Sequence, residues 1–398
     1  MITFEETRRI LESHCFALSA EWVALTSATG FVLFEDINAP VSLPLFRSSA
    51  MDGYAVASRY TVGASSENPV CFKVAGDVRA GDEPGKLKGV SETLRIMTGA
   101  PVPRGADTVI EKEKALVVEG SLVVSHPVFS GRHVRLPGEE IKRGTPVLKK
   151  HEILNPGSIG FLASLGIDRV RVFKKPRVSV LATGSELLNP GMPLKPGKVY
   201  NANGPMLLGA LQEMKIRPFF VRQAKDHPKL IRRLLDFSLR ESDLVILTGG
   251  VSTGEYDFVK DVLEKAGVET LFWQVSQKPG KPLFFGKKNN TLIFGLPGNP
   301  AAVFTCFYEY VYPAIRLLSG HTSPYLPEEP AELLGRVEPD AHKTLFLKGR
   351  VTALPLKNQK SHMLSSLTQT NALLAVRTAP KVLEEGDAVV AHLLPYEV

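Results

Sequence analysis

Cysteine is scarce in this sequence: its 398 residues contain only three, and none stands in a C-x-x-C pair. Isolated cysteines indicate neither a disulfide framework nor a cysteine zinc site. Free thiols suit a reducing compartment, so we expect a cytoplasmic protein. The three are Cys15, Cys71 and Cys306.

Long apolar runs are also missing. The first residues contain no apolar segment of the kind that a signal peptide needs. The longest apolar run, 301–315, includes Glu309 and Pro313 and is shorter than the roughly 20 residues of a membrane span. We expect no association with a membrane and interpret this run as a buried helix.

Two catalytic patterns are absent as well. Neither a Ser-His-Asp order nor a histidine-rich metal cluster stands out, which disfavours acyl transfer through a nucleophile. The net charge of +7 is scattered, without the interleaved aromatic residues of a single-strand nucleic-acid surface. We therefore favour an anionic small molecule over nucleic acid as the ligand.

What the sequence does contain indicates a multidomain α/β plus β protein. The 33 glycines and 29 prolines favour many turns and a β-rich portion. We predict an elongated, helical and extended arm from residues 1–44 and 136–175, and a β-rich domain, 45–135, inserted into it. An α/β domain at 176–323 and a small barrel-like β domain at 324–398 follow.

Strands and helices alternate in the predicted α/β domain. This alternation indicates a parallel sheet with helices on both faces, where ligands bind beyond the carboxyl ends of the strands. The predicted strands are 177–182, 218–222, 244–247, 270–275 and 292–295. The predicted helices are 205–214, capped by Asn203, then 228–240, 258–266 and 301–318.

Two loops that follow these strands combine glycine with polar side chains. In the first loop, hydroxyl and backbone donors next to a carboxylate suit a polar ligand, although an ordinary capped turn would look the same. In the second, three glycines expose backbone N–H groups at a helix start and form a candidate anion site; a simple helix cap by Asp257 is the alternative. The candidates are Thr183, Gly184, Ser185 and Glu186 in the first loop, and Gly249, Gly250, Ser252, Gly254 and Asp257 in the second.

Two more loops complete the predicted site. Lys278 and Lys281 flank a Pro-Gly turn and form a pair of charges suited to an oxyanion; a solvated basic turn is the alternative. The loop that opens the last helix offers backbone N–H groups to an anion, although its proline also fits a plain helix start. Its candidate residues are Pro297, Gly298 and Asn299.

Four further polar residues are weaker candidates by themselves. Asp226 stands where a helix N-cap belongs, so capping competes with a ligand role. Asp52 precedes a glycine turn at the start of the β-rich insertion, Thr98 lies in a second polar turn there, and Glu140 follows Gly138-Glu139.

Seven motifs in order resemble the molybdopterin molybdenumtransferase family, which includes the E domain of gephyrin. They are S-A-M-D-G-Y-A at 49–55, I-M-T-G-A-P-V-P at 96–103, G-E-E-I at 138–141, T-G-S-E-L at 183–187, T-G-G-V-S-T-G-E-Y-D at 248–257, K-P-G-K-P at 278–282 and G-L-P-G-N-P-A-A at 295–302. The resemblance covers essentially the whole chain. It makes the α/β domain one of the molybdopterin-binding type.

The resemblance implies an enzyme that inserts molybdate into adenylated molybdopterin and releases AMP, with Mg²⁺ as cofactor. It also implies a homodimer, in which the inserted domain of one subunit completes the site of the other, and an adenylyltransferase as partner. The positions matching residues that the family uses are Asp52, Thr98, Glu186, Asp226, Asp257 and Lys278. Asp226, Asp257 and Glu140 are the candidate Mg²⁺ ligands.

Some positions depart from the family pattern. Glu140 stands where an aspartate is common, Gln274 replaces a lysine, and Ala302 lies in a helix that commonly carries serine. These departures affect the expected binding of the oxyanion more than the reaction class. A non-catalytic scaffold of the gephyrin type and a molybdopterin adenylyltransferase remain the alternatives.

Overall fold

The computed structural model describes residues 1–250, 258–349, 372–376 and 382–394. The chain divides into two compact units. The first, here called the α/β unit, contains Met1–Trp22, Phe31–Phe34 and Arg171–Val398, and the second, the β-rich unit, contains Val23–Gly30 and Glu35–Val170. Predicted boundaries between the four domains stay a prediction.

A six-stranded sheet forms the centre of the α/β unit. Its first four strands run parallel, which confirms the expected α/β architecture. The strand order is Phe220–Ala224, Val178–Thr183, Leu244–Thr248, Thr291–Leu296, Phe284–Lys288 and Glu269–Trp273. Strand Phe284–Lys288 was not predicted, and it runs antiparallel to both of its neighbours.

Both faces of this sheet are buried. Leu244 and Ile246 belong to one apolar cluster, and Val245 and Leu247 to another, because alternate side chains of a strand point to opposite faces. The helices of the unit are Phe4–His14, Asn203–Glu213, Pro228–Glu241, Phe258–Lys265, Pro300–Cys306 and Tyr312–Leu318. A short parallel pair, Leu187–Leu188 and Val199–Tyr200, lies outside the main sheet.

The helix predicted at 301–318 has a different structure. A π-helical segment, Phe307–Val311, separates its two α-helical parts. All five residues of this segment are buried, including Glu309. The expected buried helix is therefore present, but its backbone ladder is interrupted at the centre of the core.

A second sheet contains the described C-terminal strands and two residues from the loop 277–282, which carries Lys278 and Lys281 and is here called the lysine loop. Its order is Gln277–Lys278, Thr344–Gly349, Ala372–Val376, Ala388–Leu393 and Glu328–Glu332. The first pair is parallel and the others are antiparallel. Lysine-loop residues thus join the main sheet to the C-terminal one.

The β-rich unit contains a six-stranded sheet, as its turn-rich composition predicts. The order is Thr108–Glu111, Gly53–Val56, Glu92–Ile96, Val70–Val78, Ser121–Val124 and Leu116–Val118. Two small ladders join Ser48–Ser49 to Val134–Arg135 and Ile37–Asn38 to Pro146–Leu148. The unit also contains helix Pro156–Ser164 and the 3₁₀ turns Leu25–Ser27, Ser58–Thr61 and Lys112–Lys114.

Two further strands, Ala20–Ala24 and Arg169–Phe173, lie where the chain passes between the units. Among the helices of the described residues, none is long and apolar enough to cross a membrane.

Candidate functional site

Three of the four predicted site loops, together with the segment that carries Asp226, leave one edge of the main sheet. They follow strands that end at Thr183, Ala224, Thr248 and Leu296. Because these strands are parallel and adjacent, their carboxyl ends share that edge. This is where open α/β sheets bind ligands.

The first two loops hold each other through reciprocal hydrogen bonds. The Ser185 backbone N–H donates to Oδ2 of Asp226 at 2.7 Å, and the Asp226 N–H donates to Oγ of Ser185 at 3.0 Å. Gly184 adds a bond from its N–H to the Ala224 carbonyl at 3.1 Å. Ser185, Glu186 and Asp226 are exposed, so the contact presents polar groups to solvent.

Asp226 does not cap the helix that follows it. The N-cap of Pro228–Glu241 is His227, whose side chain makes no capping bond. The capping interpretation of Asp226 is therefore wrong, and its carboxylate faces the Ser185 loop instead.

Asn203 connects the other two loops, which the sequence did not reveal. We expected it to cap a helix, but it is the first residue of Asn203–Glu213, whose N-cap is Ala202. Its Nδ2 donates to Thr248 Oγ1 and to the Gly298 carbonyl, each at 2.9 Å. Thr248 in turn donates to the Pro297 carbonyl at 3.1 Å. One buried amide thus links two strand ends.

Close backbone packing explains why a glycine stands at position 249, directly after the strand that ends at Thr248. A Cβ at Gly249 would lie 2.1 Å from the Thr183 carbonyl oxygen, and its φ of +89° also favours glycine. Gly250 has a φ of 63°. Ser252, Gly254 and Asp257 lie outside the described residues.

The fourth loop combines a helix start with its cap. Asn299 accepts a hydrogen bond from the Ala301 N–H at 3.1 Å, and Pro300 occupies the first helical turn. The plain helix start that the proline indicated is therefore present, with Asn299 as its N-cap. Capping and anion binding use different N–H groups, so Gly298 stays a candidate.

Both lysines of the lysine loop are exposed. Lys278 and Lys281 reach solvent, while Gln277 and Gly280 between and beside them are buried. The loop closes on itself where the Val275 N–H donates to the Lys281 carbonyl at 3.0 Å. Two ammonium groups are thus carried by a short, internally bonded loop.

Gln274, where the family has a lysine, has a left-handed backbone, with φ at 67°. Ala302 is buried at the start of the last helix.

In the β-rich unit, Asp52 and Thr98 form a pair. Oδ1 of Asp52 accepts from both the N–H and the hydroxyl of Thr98, each at 2.7 Å. These bonds, with the Thr98 N–H as the larger cause, hold the pKa of the Asp52 carboxyl below its usual value. The sequence suggested both residues and the structure places them in contact.

A charged cluster next to this pair was not predicted. Buried Glu111 forms ion pairs with Lys114 at 2.8 Å and Arg132 at 3.0 Å, and its Oε1 lies 2.5 Å from Nε2 of His133. Hydrogen bonds from Lys114 and Arg132 lower the pKa of Glu111 to about 2. The Lys112 N–H also donates to the Asp52 carbonyl at 2.9 Å. In the sequence, the alternating acids and bases at 111–114 could have indicated this charged cluster.

Glu140 lies exposed in a turn of the same unit, where its N–H donates to the Leu43 carbonyl. Among the described residues, no group of three or more His, Cys, Asp or Glu side chains is suited to a metal ion.

Comparisons with known proteins agree with the motifs. Residues 2–166 match the model for the MoeA N-terminal region (domain I and II), 179–317 match a "probable molybdopterin binding domain", and 331–394 match the MoeA C-terminal region (domain IV). A Mycobacterium tuberculosis protein named molybdopterin molybdenumtransferase 2 is 35% identical over 94% of this chain and 95% of its own length. The chain belongs to the molybdopterin molybdenumtransferase family.

Further members of the family support this conclusion. A Staphylococcus aureus molybdopterin molybdenumtransferase is 33% identical over 98% of this chain and 97% of its own. The crystal structure of a molybdopterin biosynthesis MoeA protein from Pyrococcus horikosii has a TM-score of 0.85 and 31% identity, and covers 99% of each chain. This molybdopterin molybdenumtransferase family member therefore has both the sequence and the fold of an enzyme family of molybdenum cofactor biosynthesis.

Proposed function

We propose that this protein inserts molybdate into adenylated molybdopterin, with release of AMP, in an Mg²⁺-dependent reaction. One observation carries the proposal: four adjacent loops, which between them contain glycine turns, hydroxyls and carboxylates, leave the same edge of a parallel sheet. Such an edge binds phosphorylated ligands through backbone N–H groups. Names of the relatives supply the cargo and the acceptor.

The loops suit the parts of this substrate. Backbone N–H groups around Gly249, Gly250 and Gly298 suit the phosphates, and Glu186 suits the donor-rich edge of the pterin. Lys278 and Lys281 are exposed and positively charged, so they suit the molybdate oxyanion. Binding both reactants close together lowers the entropic cost of their reaction.

The donor set fits Mg²⁺. The exposed carboxylate of Asp226 is anchored by the Ser185 N–H, and Mg²⁺ commonly binds one or two carboxylates together with substrate phosphates. Asp226 would hold the ion, with Asp257 and Glu140 as further candidates. When bound, the ion would neutralise the charge of the anhydride.

AMP release from adenylated molybdopterin, measured with and without molybdate in the presence of Mg²⁺, tests this function. Molybdate-dependent release is expected, and Lys278→Ala raises the molybdate concentration that it needs. AMP that stays bound at every molybdate concentration would indicate the scaffold, and MgATP consumption with plain molybdopterin would indicate the adenylyltransferase. Lys229→Ala, which removes an exposed lysine from a helix, is the control.

We further propose a cytoplasmic homodimer in which Asp52 and Thr98 complete the partner subunit's site, supplied by a molybdopterin adenylyltransferase. Complementation tests the dimer: Asp52→Ala and Lys278→Ala proteins, assayed at a molybdate concentration at which neither is active alone, would regain activity when mixed, since one site of the mixed dimer is intact. Failure to regain activity in a dimer that exchanges subunits contradicts the arrangement.

A further inference from the structure

Gln277 is the first residue of the lysine loop. It is almost completely buried, with 1% of its surface exposed. Burying a primary amide is costly unless its donors and acceptor are satisfied. Its Nε2 donates to two carbonyls of the loop, those of Pro279 and Gly280, each at 3.2 Å. The amide therefore fills the inside of the turn that separates Lys278 from Lys281.

Tyr310 orients this amide from the π-helical segment. Its hydroxyl donates to Oε1 of Gln277. Burial raises the pKa of Tyr310 well above its usual value, so the hydroxyl keeps its proton and acts as the donor. With Oε1 occupied by Tyr310, the NH₂ group of Gln277 must face the loop carbonyls.

Close packing keeps the loop on this support. A Cβ at Gly280 would lie 2.5 Å from Sγ of Cys306 and 2.8 Å from Nε2 of Gln277. Cys306 is itself buried, and Nε2 also donates to its sulfur at 3.7 Å. The turn thus rests directly on the end of helix Pro300–Cys306, which begins at the fourth site loop.

We propose that Gln277, held by Tyr310, is a positioning residue that fixes the spacing of Lys278 and Lys281 for the oxyanion. The inference rests on the proposed function of these lysines. Gln277 touches no substrate; it acts through the backbone between the two charges. Two ammonium groups on flexible stems need a fixed backbone to share one small anion.

The experiment combines hydrogen exchange with steady-state kinetics. In Gln277→Met, the backbone amides of residues 275–281 exchange faster, because the side chain no longer binds the Pro279 and Gly280 carbonyls. The KM for molybdate in AMP release rises about tenfold, while kcat changes little, because misplacement of binding groups weakens the oxyanion site first.

A matched pair of tyrosines separates this role from general destabilisation. Tyr310→Phe removes the hydroxyl bound to Gln277, and Tyr308→Phe removes one bound to Glu213 at 2.9 Å, two residues earlier on the same segment. Only Tyr310→Phe is expected to raise the KM and loop exchange. It also covers the case in which Gln277→Met fails to fold.

Three results decide the inference. Unchanged loop exchange in both Gln277→Met and Tyr310→Phe overturns it, as does faster exchange with an unchanged KM for molybdate. The same KM for molybdate in Lys278→Ala and in Lys278→Ala/Gln277→Met supports it, because the Gln277 side chain then acts only through the lysine pair. If wild-type AMP release does not depend on molybdate, the proposed function fails, and loop exchange alone decides whether Gln277 holds the turn.

Discussion

The two units hold their candidate site residues by different means. In the α/β unit, neutral groups and close backbone packing fix the loops that follow Thr248 and Leu296, as Asn203 and Gly249 illustrate, and the Asp226 carboxylate fixes only the Ser185 loop. In the β-rich unit, charged groups do so, with the Asp52 carboxylate bound by Thr98 and the Glu111 carboxylate bound by Lys114, Arg132 and His133. The contacts of Asn203 and Gly249 do not titrate, whereas the Glu111 carboxylate does, so a change of pH should affect the Glu111 contacts and leave those of Asn203 and Gly249 unchanged.

Gly249→Ala has the largest expected effect and tests the close backbone packing of the α/β unit. The added Cβ meets a backbone carbonyl, which cannot move aside, at a φ that disfavours alanine. We expect a loss of about 3 kcal/mol or more in unfolding free energy, measured by urea denaturation. Gly209→Ala is the control, since its Cβ meets nothing within 4 Å on an exposed helical position. Equal stability of the two variants would contradict the packing argument.

Asn203→Ala tests the buried amide that links two loops. It removes hydrogen bonds to Thr248 and Gly298 and leaves buried acceptors, which costs about 1–3 kcal/mol in unfolding free energy. Replacing exposed Asn189 by alanine is the control, with an effect of about 0.5 kcal/mol or less. A loss of unfolding free energy that varied strongly with pH would contradict the interpretation that neutral hydrogen bonds link these two loops.

Glu111→Gln tests the charged contacts of the β-rich unit by removing the carboxylate charge. Because its folded pKa of about 2 lies below the ordinary 4.5, the ionised carboxylate stabilises the fold above pH 4.5. That contribution is lost as the pH falls towards 2. We expect the variant to have a lower Tm at neutral pH, with the difference from wild type shrinking between about pH 5 and pH 2.

Exposed Glu113→Gln, two residues along, is the control for this pH series. A difference between Glu111→Gln and wild type that stayed constant down to the lowest pH would contradict the assigned role of the carboxylate.

Thr98→Val has the smallest expected effect. It deletes one of the two hydrogen bonds to Asp52 and keeps the backbone N–H. The pKa of Asp52, followed by carbon NMR, should rise towards its usual value without reaching it. Asp340, whose pKa is lowered by its own contacts with His342 and Lys343, should not change. An unchanged Asp52 pKa would show that the hydroxyl bond adds nothing.

Local patterns predicted most of the α/β unit. Apolar runs and helix signals located five of the six strands of its main sheet and its helices, because burial on both faces gives strands such as 244–248 a continuous apolar sequence. Strand Phe284–Lys288 was missed because the lysine loop before it resembles a simple basic turn. The π-helical interruption was also missed, since its sequence is as apolar as the helices around it.

The sequence alone determined the family, the loops that carry glycine, acids and lysines, and the candidate residues, because motif order and residue type are properties of the chain. Only the tertiary structure decided that Asp226 turns to Ser185, that Asn203 links two loops, and that Gln277 supports the lysines. The contacts of Asp226 and Asn203, and that of Tyr310 with Gln277, join residues 33 to 95 positions apart. No local pattern records which distant group a buried amide will meet.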